Sequence, residues 1–286
     1  MKILWTCLVV LFTIVSGCHT SSPLRGSIFT NPLGMQAYTY RNSWDNPIAV
    51  LDTIKALGIT ELEGGSIKSL SDTTFKKLLE ERGIQMRSVG TNFESLSDGK
   101  KVQEVVDRAK FFGASYIMVA WIPHGKSFEL EHAQKAIDVF NKAGKIFKEN
   151  GLTFCYHIHG YEFKPYDNGT LFDYMATNLQ PEYVSFEIDI MWAFFGGQDP
   201  AKLILKYGDR WKLMHIKDLK KGVQGNLTGL TAIEHDVAVG TGQLNIPEIM
   251  KAAKKVGIKH YFIEDESPHH AVQIPQTIQY LRSMKE

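Results

Sequence analysis

Residues 185–200 read SFEIDIMWAFFGGQDP, and with Val184 they contain the clearest strand of this 286-residue chain. Apolar and polar residues alternate along its first half, as they do in a strand with two distinct faces. One face carries Glu187 and Asp189. Because an unpaired carboxylate is costly to bury, Asp189 at the strand end is expected to meet a cation, a metal or a polar pocket. The alternative is that Asp189 caps the turn that follows the strand.

The same unit recurs on both sides of this stretch: a short apolar strand, a loop, an amphipathic helix and a glycine that ends the helix. The predicted strands are Met35–Tyr40, Thr60–Glu63, Gln85–Gly90, Tyr116–Ala120, Thr153–His157, Val184–Asp189, Trp211–Ile216 and His260–Glu264. The predicted helices are Pro47–Leu57, Asp72–Arg82, Lys101–Phe112, Glu129–Asn150, Leu171–Leu179, Pro200–Tyr207, Ile246–Val256 and Val272–Met284. This alternation predicts an α/β fold, a single-domain (β/α)8 TIM barrel over residues 34–286. A doubly wound open sheet is the alternative, but its glycine-rich phosphate loop is missing after the first strand.

Composition excludes some classes of protein. A hydrophobic content of 44% suffices for one large core. The 32 basic and 31 acidic residues give a net charge of +1, so nucleic acid is not an expected partner.

The first residues form a signal segment rather than part of the fold. Lys2 precedes an apolar run over residues 3–15, too short to span a bilayer as a mature helix, and small residues lead to Cys18. This ending resembles the bacterial lipobox, whose cysteine is acylated. We expect a lipoprotein signal peptide at residues 1–17, lipidation of Cys18, a tether at residues 18–33, and a periplasmic protein held on the cell envelope by its lipid anchor alone. An ordinary cleaved signal peptide is the alternative.

In TIM barrels the chemistry collects at the C-terminal ends of the strands. The last four predicted strands end in His157 with His159, in Asp189, in His215 and in Glu264. One such histidine is more often a hydrogen-bonded core residue, but four coinciding strand ends indicate a divalent-metal site. His157, Asp189, His215 and Glu264 are the predicted ligands. Mixed nitrogen and oxygen donors favour Mn²⁺ or Zn²⁺, among transition metals, over Mg²⁺ or Ca²⁺.

Several motifs resemble one family. They are GMQAYTYR (34–41), ITELEGG (59–65), YHIHGYEF (156–163), FEIDIMWAFFGGQDP (186–200), MHIKDL (214–219) and VGTGQLNIPEIMKAAKKVGIKHYFIEDE (239–266). They resemble the xylose-isomerase-like barrels, which include sugar (phosphate) isomerases and epimerases, inosose dehydratases and divergent apurinic endonucleases. The resemblance implies a divalent metal that binds two oxygens of a hydroxy-ketone or enediol. It places Asp189, His215 and Glu264 at metal positions.

Strand five departs from the epimerase pattern. The resemblance implies a glutamate where His157 stands, so that one carboxylate lies on each side of the substrate; here only Glu264 of that pair is present. The candidates for a second acid or base are Glu63, His159, Glu162 and Lys217.

Substrate contacts are expected from aromatic and amide side chains. Trp192 stands where many epimerases carry a histidine, so it is predicted to stack on a sugar ring. Trp121, Gln36 and Tyr38 are the other predicted substrate-binding residues. Glycine pairs at 64–65, 196–197 and 240–242 either bring backbone amides to a ligand or simply form turns.

The leading functional hypothesis is a metal-dependent isomerase or epimerase of a sugar or sugar derivative. It would abstract a proton next to a carbonyl, with Glu264 or a neighbouring histidine as base. Because the protein is predicted to be exported, free sugars, glycosides or oxidised sugars are the expected substrates rather than sugar phosphates.

Three alternatives belong to other classes. A lyase or hydratase of a keto-sugar or keto-glycoside fits the missing glutamate, since elimination does not need a base on both faces. A non-catalytic sugar-binding lipoprotein would keep the aromatic residues and tolerate loss of the metal. An apurinic endonuclease is disfavoured, because strands one to three offer none of the additional histidines that a zinc cluster would need.

Overall fold

The structure, a computed structural model, describes residues 31–285. The predicted signal peptide, Cys18 and most of the tether lie outside the described residues. In the described part of the chain, no helix has the length and apolar character needed to cross a membrane.

Eight parallel strands close into one barrel. In chain order they are β1 (Leu33–Gln36), β2 (Glu61–Gly64), β3 (Gln85–Thr91), β4 (Tyr116–Val119), β5 (Thr153–His157), β6 (Val184–Asp189), β7 (Trp211–Ile216) and β8 (His260–Ile263). Each strand pairs with the next, and β1 pairs with β8 to close the barrel. The predicted single-domain (β/α)8 barrel is therefore confirmed.

Eight helices connect the strands on the outside of the barrel. They are α1 (Pro47–Ala56), α2 (Asp72–Glu80), α3 (Gly99–Phe112), α4 (Leu130–Glu149), α5 (Leu171–Asn178), α6 (Pro200–Tyr207), α7 (Ile246–Val256) and α8 (His270–Ser283). Asn46 begins α1 by accepting the Ala49 backbone N–H, as its position before Pro47 suggests. Gly257 ends α7 in the left-handed conformation, with φ of 87°.

The first strand is shorter than predicted. It ends at Gln36, and Ala37–Tyr40 form a 3-10 turn in which Gln36 Oε1 accepts the Tyr38 backbone N–H. The local amide side chain thus competes successfully with continued strand pairing. Two further short helices, Phe93–Leu96 and Ile190–Phe195, lie in loops for which no helix was predicted.

An apolar layer crosses the barrel interior at mid-height. It consists of Leu213, Phe262 and the free, buried Cys155. Because successive inward-facing residues are two apart, this layer separates polar residues at one end of the barrel from polar residues at the other. On β8, for example, Phe262 lies between His260 and Glu264. The carboxyl ends of the strands hold the candidate site.

Candidate metal centre and active site

The four predicted ligands form one cluster at the carboxyl ends of β5 to β8. His215 Nδ1 lies 3.3 Å from Glu264 Oε2 and 3.8 Å from Asp189 Oδ2. The ring centroids of His157 and His215 are 4.3 Å apart. His157, Asp189 and His215 each offer a ligand atom within 4.8 Å of the others. All four side chains are buried, and the most accessible, Glu264, is 9% exposed.

The donor atoms fit a divalent ion. Among the described residues, Asp189 Oδ2 and His215 Nδ1 have no hydrogen-bond partner, although both are buried. Such atoms are rare in a folded protein unless an ion or water satisfies them. Ligand atoms about 2.0–2.2 Å from a zinc ion lie roughly 3–4 Å from one another, which matches the observed separations. His157, Asp189, His215 and Glu264 are thus suited to hold one metal.

Asp189 combines the two roles that its sequence position suggested. Its Oδ1 accepts the Trp192 backbone N–H at 2.9 Å and caps the helix Ile190–Phe195. The cap leaves Oδ2 directed at the cluster. Capping and metal binding are therefore compatible, and the cap fixes the orientation of the carboxylate.

Two deeper carboxylates orient the histidine rings. Glu187 Oε2 lies 3.1 Å from His157 Nδ1, and Glu63 Oε1 lies 2.7 Å from His215 Nε2. When a carboxylate accepts one ring N–H, the tautomer is fixed and the other nitrogen is left for a metal. Both glutamates are fully buried. Gln36 Nε2 supports Glu63 with a hydrogen bond of 2.7 Å.

Burial and neighbouring charges shift the pKa values of the side chains in the cluster. Burial, and then the neighbouring Glu63, raises the pKa of Glu187 well above its usual value. Burial also raises the pKa of Asp189 to about 6. Burial, and then repulsion from His215, lowers the pKa of His157 well below its usual value. His157 is therefore neutral, which is the form that binds metals, and a divalent cation would offset the negative charge.

Lys217 connects the metal centre to its rim. Its fully buried ammonium lies 3.1 Å from Glu264 Oε2, 2.7 Å from Glu266 Oε1 and 3.7 Å from Asp236 Oδ2. It also lies 5.5 Å from the centre of the Trp192 ring. Burial opposes ionisation of Glu264. The charges of Lys217 and His215 nevertheless hold the pKa of Glu264 well below its usual range. An ionised carboxylate and an ammonium thus lie side by side at the mouth.

Three rings form what we call the aromatic wall: Trp121, His159 and Trp192. His159 stacks on Trp192 with centroids 5.6 Å apart and meets the Trp121 ring edge-on at 5.5 Å. Burial lowers the pKa of His159 to about 3, so this imidazole is neutral. Its Nδ1 has no hydrogen-bond partner among the described residues. Trp121 and His159 are partly exposed, whereas Trp192 is 5% exposed and its ring is packed against His159.

Comparison with known proteins assigns the family. The profile described as "Xylose isomerase-like TIM barrel" matches residues 51–284. This chain belongs to that family. An inosose dehydratase of Geobacillus kaustophilus is 24% identical to this xylose isomerase-like barrel over 221 residues, which are 69% of this chain and 70% of that protein.

Solved structures share the fold of this xylose isomerase-like barrel. A sugar phosphate isomerase/epimerase from Parabacteroides distasonis is similar with a TM-score of 0.74 and 23% identity, over 92% of this chain and 97% of the other. The IolI protein, solved with a bound zinc atom, is similar with a TM-score of 0.67 and 14% identity, over 88% and 95% of the two chains. At these identities the similarity shows the fold, and the cluster itself must indicate the chemistry.

Within this xylose isomerase-like barrel, the structure places Glu162 differently from the prediction. Its carboxylate accepts hydrogen bonds from the Tyr156 hydroxyl and from the His159 backbone N–H. The Tyr156 ring packs against Phe140 in the helix layer, on the opposite side of β5 from His157. Glu162 therefore belongs to the layer outside the barrel and not to the metal centre.

The other predicted residues fall into two groups. Lys217, His159 and Trp192 contact or border the cluster, whereas Glu63 lies behind His215, in a position that orients the ring rather than facing the mouth. Tyr38 lies in the loop after β1 with 52% of its surface exposed. Glu187 was recognised on the Asp189 face of its strand but was not assigned to the site. That shared face was the signal for it.

The glycines at 240–242 serve an internal turn. The backbone N–H groups of Gly240 and Gly242 donate to Asp218 Oδ2 at 2.9 and 3.0 Å. A Cβ on Gly242 would lie 2.2 Å from Asp218 Oδ1, so only glycine fits. These amides are therefore bound to a carboxylate of the chain itself, as the turn interpretation expects.

Proposed function

We propose that this protein is a metal-dependent carbon–oxygen lyase that acts on a keto-sugar or keto-glycoside. The observation that carries the proposal is the one-sided placement of the carboxylates at the mouth. Glu264 and Glu266 both follow β8, and Lys217 binds both of them. His157, across the cluster, is a neutral imidazole whose Nδ1 is bound to Glu187. This arrangement suits removal of a proton from one face better than its return on the other.

The residues supply a balanced elimination. A bound divalent metal would polarise the substrate carbonyl and so acidify the neighbouring C–H. Glu264 takes that proton, and the C–H electron pair forms a C=C bond as the C–O bond one carbon further breaks. The Lys217 ammonium donates a proton to the departing oxygen, which leaves as water or an alcohol. The 3.1 Å contact between the two groups lets the proton on Glu264 return to Lys217.

The experiment follows both bonds at once. The purified, metal-loaded protein is incubated in D₂O with a keto-glucoside and with an inosose, and products are followed by NMR. We expect an unsaturated ketone together with released alcohol or water. Lys217→Met should slow that release by at least about 100-fold while exchange of the C–H proton for deuterium continues. Robust epimer formation without release would overturn the lyase assignment.

An epimerase or isomerase is the second candidate. The free Nδ1 of His159 favours it, since this neutral imidazole borders the cluster from the β5 side and could exchange a proton on the face opposite Glu264. The same NMR experiment would then show a deuterated epimer, and His159→Gln should abolish it while metal content stays the same.

We propose Mn²⁺ or Zn²⁺ as the metal, because the suited donors combine two imidazoles with two carboxylates. Elemental analysis of protein purified without added chelator identifies the ion. The same measurement separates the enzyme from a non-catalytic sugar-binding protein, which would carry sugar without stoichiometric metal.

We further propose that Cys18 carries a lipid anchor on the bacterial cell envelope. The support is the short apolar segment behind Lys2 and the small residues before Cys18. Cys18→Ser should move the protein from the membrane fraction to the soluble periplasmic fraction. Wild-type protein that is already soluble after export would contradict this proposal.

A further inference from the structure

A cleft of about 730 Å³ lies next to the metal centre, between the loops that follow β1 and β2. It opens at the carboxyl ends of the strands, the face on which TIM barrels bind their substrates. Its volume lies within the range of small-molecule sites. The lining residues used below are Gln36, Tyr38, Arg41, Trp44, Gly65 and Lys68.

Gln36 joins the cleft to the metal centre. Its side chain lines the cleft, donates to Glu63 Oε1 at 2.7 Å and lies 3.5 Å from His215 Nε2. The cleft therefore adjoins the metal centre on the side of Gln36 and Glu63.

The other side of the mouth is covered by the chain itself. The loop of residues 220–235 follows β7, and its ends are tied by the Lys220 backbone N–H donating to the His235 carbonyl at 2.8 Å. Its far part reaches the aromatic wall, because a Cβ on Gly229 would lie 2.7 Å from the Tyr161 ring and 3.3 Å from the Trp121 ring. The loops after β1 and β2 are the side of the mouth that holds the open cleft.

The cleft has the chemistry of a sugar subsite. Tyr38 presents a half-exposed ring, and Trp44 supplies a second, partly buried ring. The Arg41 guanidinium is held in place by donating to the backbone carbonyls of Tyr38 and Glu266. Lys68 lies on the exposed rim. Aromatic faces that match the apolar face of a pyranose, with a few polar groups around them, are the usual pattern of such sites.

We propose that this cleft binds a second pyranose ring, so that the substrate is a disaccharide-like keto-glycoside rather than a single ring. The proposal rests on the proposed function to the extent that the first ring binds at the metal centre. It assigns the leaving group as a sugar and gives the loops after β1 and β2 the task of selecting it.

Gly65 allows a direct test. A Cβ at Gly65 would meet nothing within 4 Å, and its φ is not in the left-handed range, so Gly65→Trp fills the cleft without backbone strain. Gly99 has the same open surroundings at the start of α3, and it is not among the residues that line the cleft. Gly99→Trp is therefore the matched control. Tyr38→Ala and Tyr38→Phe separate the ring of Tyr38 from its hydroxyl.

The probes are glucose disaccharides of different linkage and the corresponding methyl glucosides. None of them carries a ketone group in its rings. Calorimetric titration of the metal-loaded protein should show at least one disaccharide binding about 10-fold or more tightly than its methyl glucoside, the equivalent of one stacked ring. Gly65→Trp and Tyr38→Ala should abolish the difference between the disaccharide and methyl glucoside affinities. Gly99→Trp and Tyr38→Phe should retain it.

Two results would overturn the subsite. One is the absence of any disaccharide advantage in the wild type, and the other is an advantage that survives Gly65→Trp. Because the titration needs no turnover, its outcome is separate from the lyase experiment. A disaccharide advantage without alcohol release would keep the subsite and reject the proposed reaction.

Discussion

The barrel carries buried charge at both ends, and the two ends are balanced in different ways. At the amino ends of the strands, Glu61 accepts a hydrogen bond from Arg87 Nε at 2.8 Å and lies 2.8 Å from His260 Nδ1. The Tyr116 ring packs edge-on against His260. We call these four residues the lower layer. Its one carboxylate has a partner at each oxygen.

The upper layer is the metal centre with its supporting glutamates, and its charges are not balanced. Glu63, Glu187 and Asp189 each have one carboxylate oxygen without a hydrogen-bond partner among the described residues. Buried groups of this kind weaken a fold unless something binds them. The contrast teaches that burial of charge does not by itself mark a functional site. The mark is burial in which several polar atoms around one histidine, His215, lack partners.

Removal of the metal should have the largest effect, because it takes the counter-charge from the upper layer only. With metal at about 1,000 times its dissociation constant, binding adds about 4 kcal/mol to the free energy of unfolding. Chelation should therefore lower the melting temperature of the wild type by several degrees in calorimetry. Equal melting temperatures with and without chelator would show that the upper layer needs no cation.

Asp189→Ala should come next, since it deletes an oxygen directed at the proposed metal position. We expect metal affinity to fall by more than about 100-fold, beyond the usual effect of a supporting residue. Asp199→Ala is the matched control, because Asp199 also caps a helix, through the Lys202 backbone N–H, but lies outside the cluster. Elemental analysis of both variants makes the comparison, and full metal content in Asp189→Ala would contradict the assigned ligand set.

The sequence predicted the fold and most of the upper layer because both depend on periodicity. Asp189 ends a regular strand, His215 lies one residue before the end of the next, and Glu264 directly follows the last, so alternation gives the direction of each side chain. Glu162 was misplaced because Gly160, in the left-handed conformation with φ of 88°, ends that alternation before the 3-10 turn Tyr161–Phe163. After such a residue, an odd or even position in the sequence no longer tells which face of the strand a side chain lies on.

The partners of ring nitrogens could not be obtained from the sequence at all. Glu187 contacts His157 from the neighbouring strand, and Glu63 contacts His215 across the barrel at a separation of 152 residues. These contacts depend on barrel closure and strand stagger, which a single sequence does not specify.

Glu63→Gln should reduce metal affinity by about 10- to 100-fold, the usual cost of removing a carboxylate that orients a metal-binding histidine. The amide keeps the size of the side chain but accepts the His215 N–H less strongly. The measurement is metal competition with a chromogenic chelator at constant pH. If Glu63→Gln bound metal as tightly as the wild type, Glu63 would have no role in metal binding.

Glu61→Gln is the counterpart on the same strand, two residues earlier and in the lower layer. We expect unchanged metal affinity and a loss of about 1 kcal/mol in the free energy of unfolding, since the amide weakens charge-assisted bonds that are partly screened by solvent.

The stability contribution of Glu61 should also depend on pH. Although burial favours the protonated carboxyl, the contacts with His260 and Arg87 lower the pKa of Glu61 below its usual value. A carboxylate with a lowered pKa in the folded state contributes its stability above its ordinary value of 4.5 and loses it as the pH falls through the folded value. The difference between wild type and variant in urea unfolding should therefore be full at pH 7 and should shrink progressively as the pH falls below 4.5. Glu80→Gln, on the exposed surface of α2, is the control and should show little difference at either pH. If Glu61→Gln instead lowered metal affinity as Glu63→Gln is expected to do, the two layers would be coupled through the apolar residues between them, and the distinction drawn from their hydrogen bonds would fail.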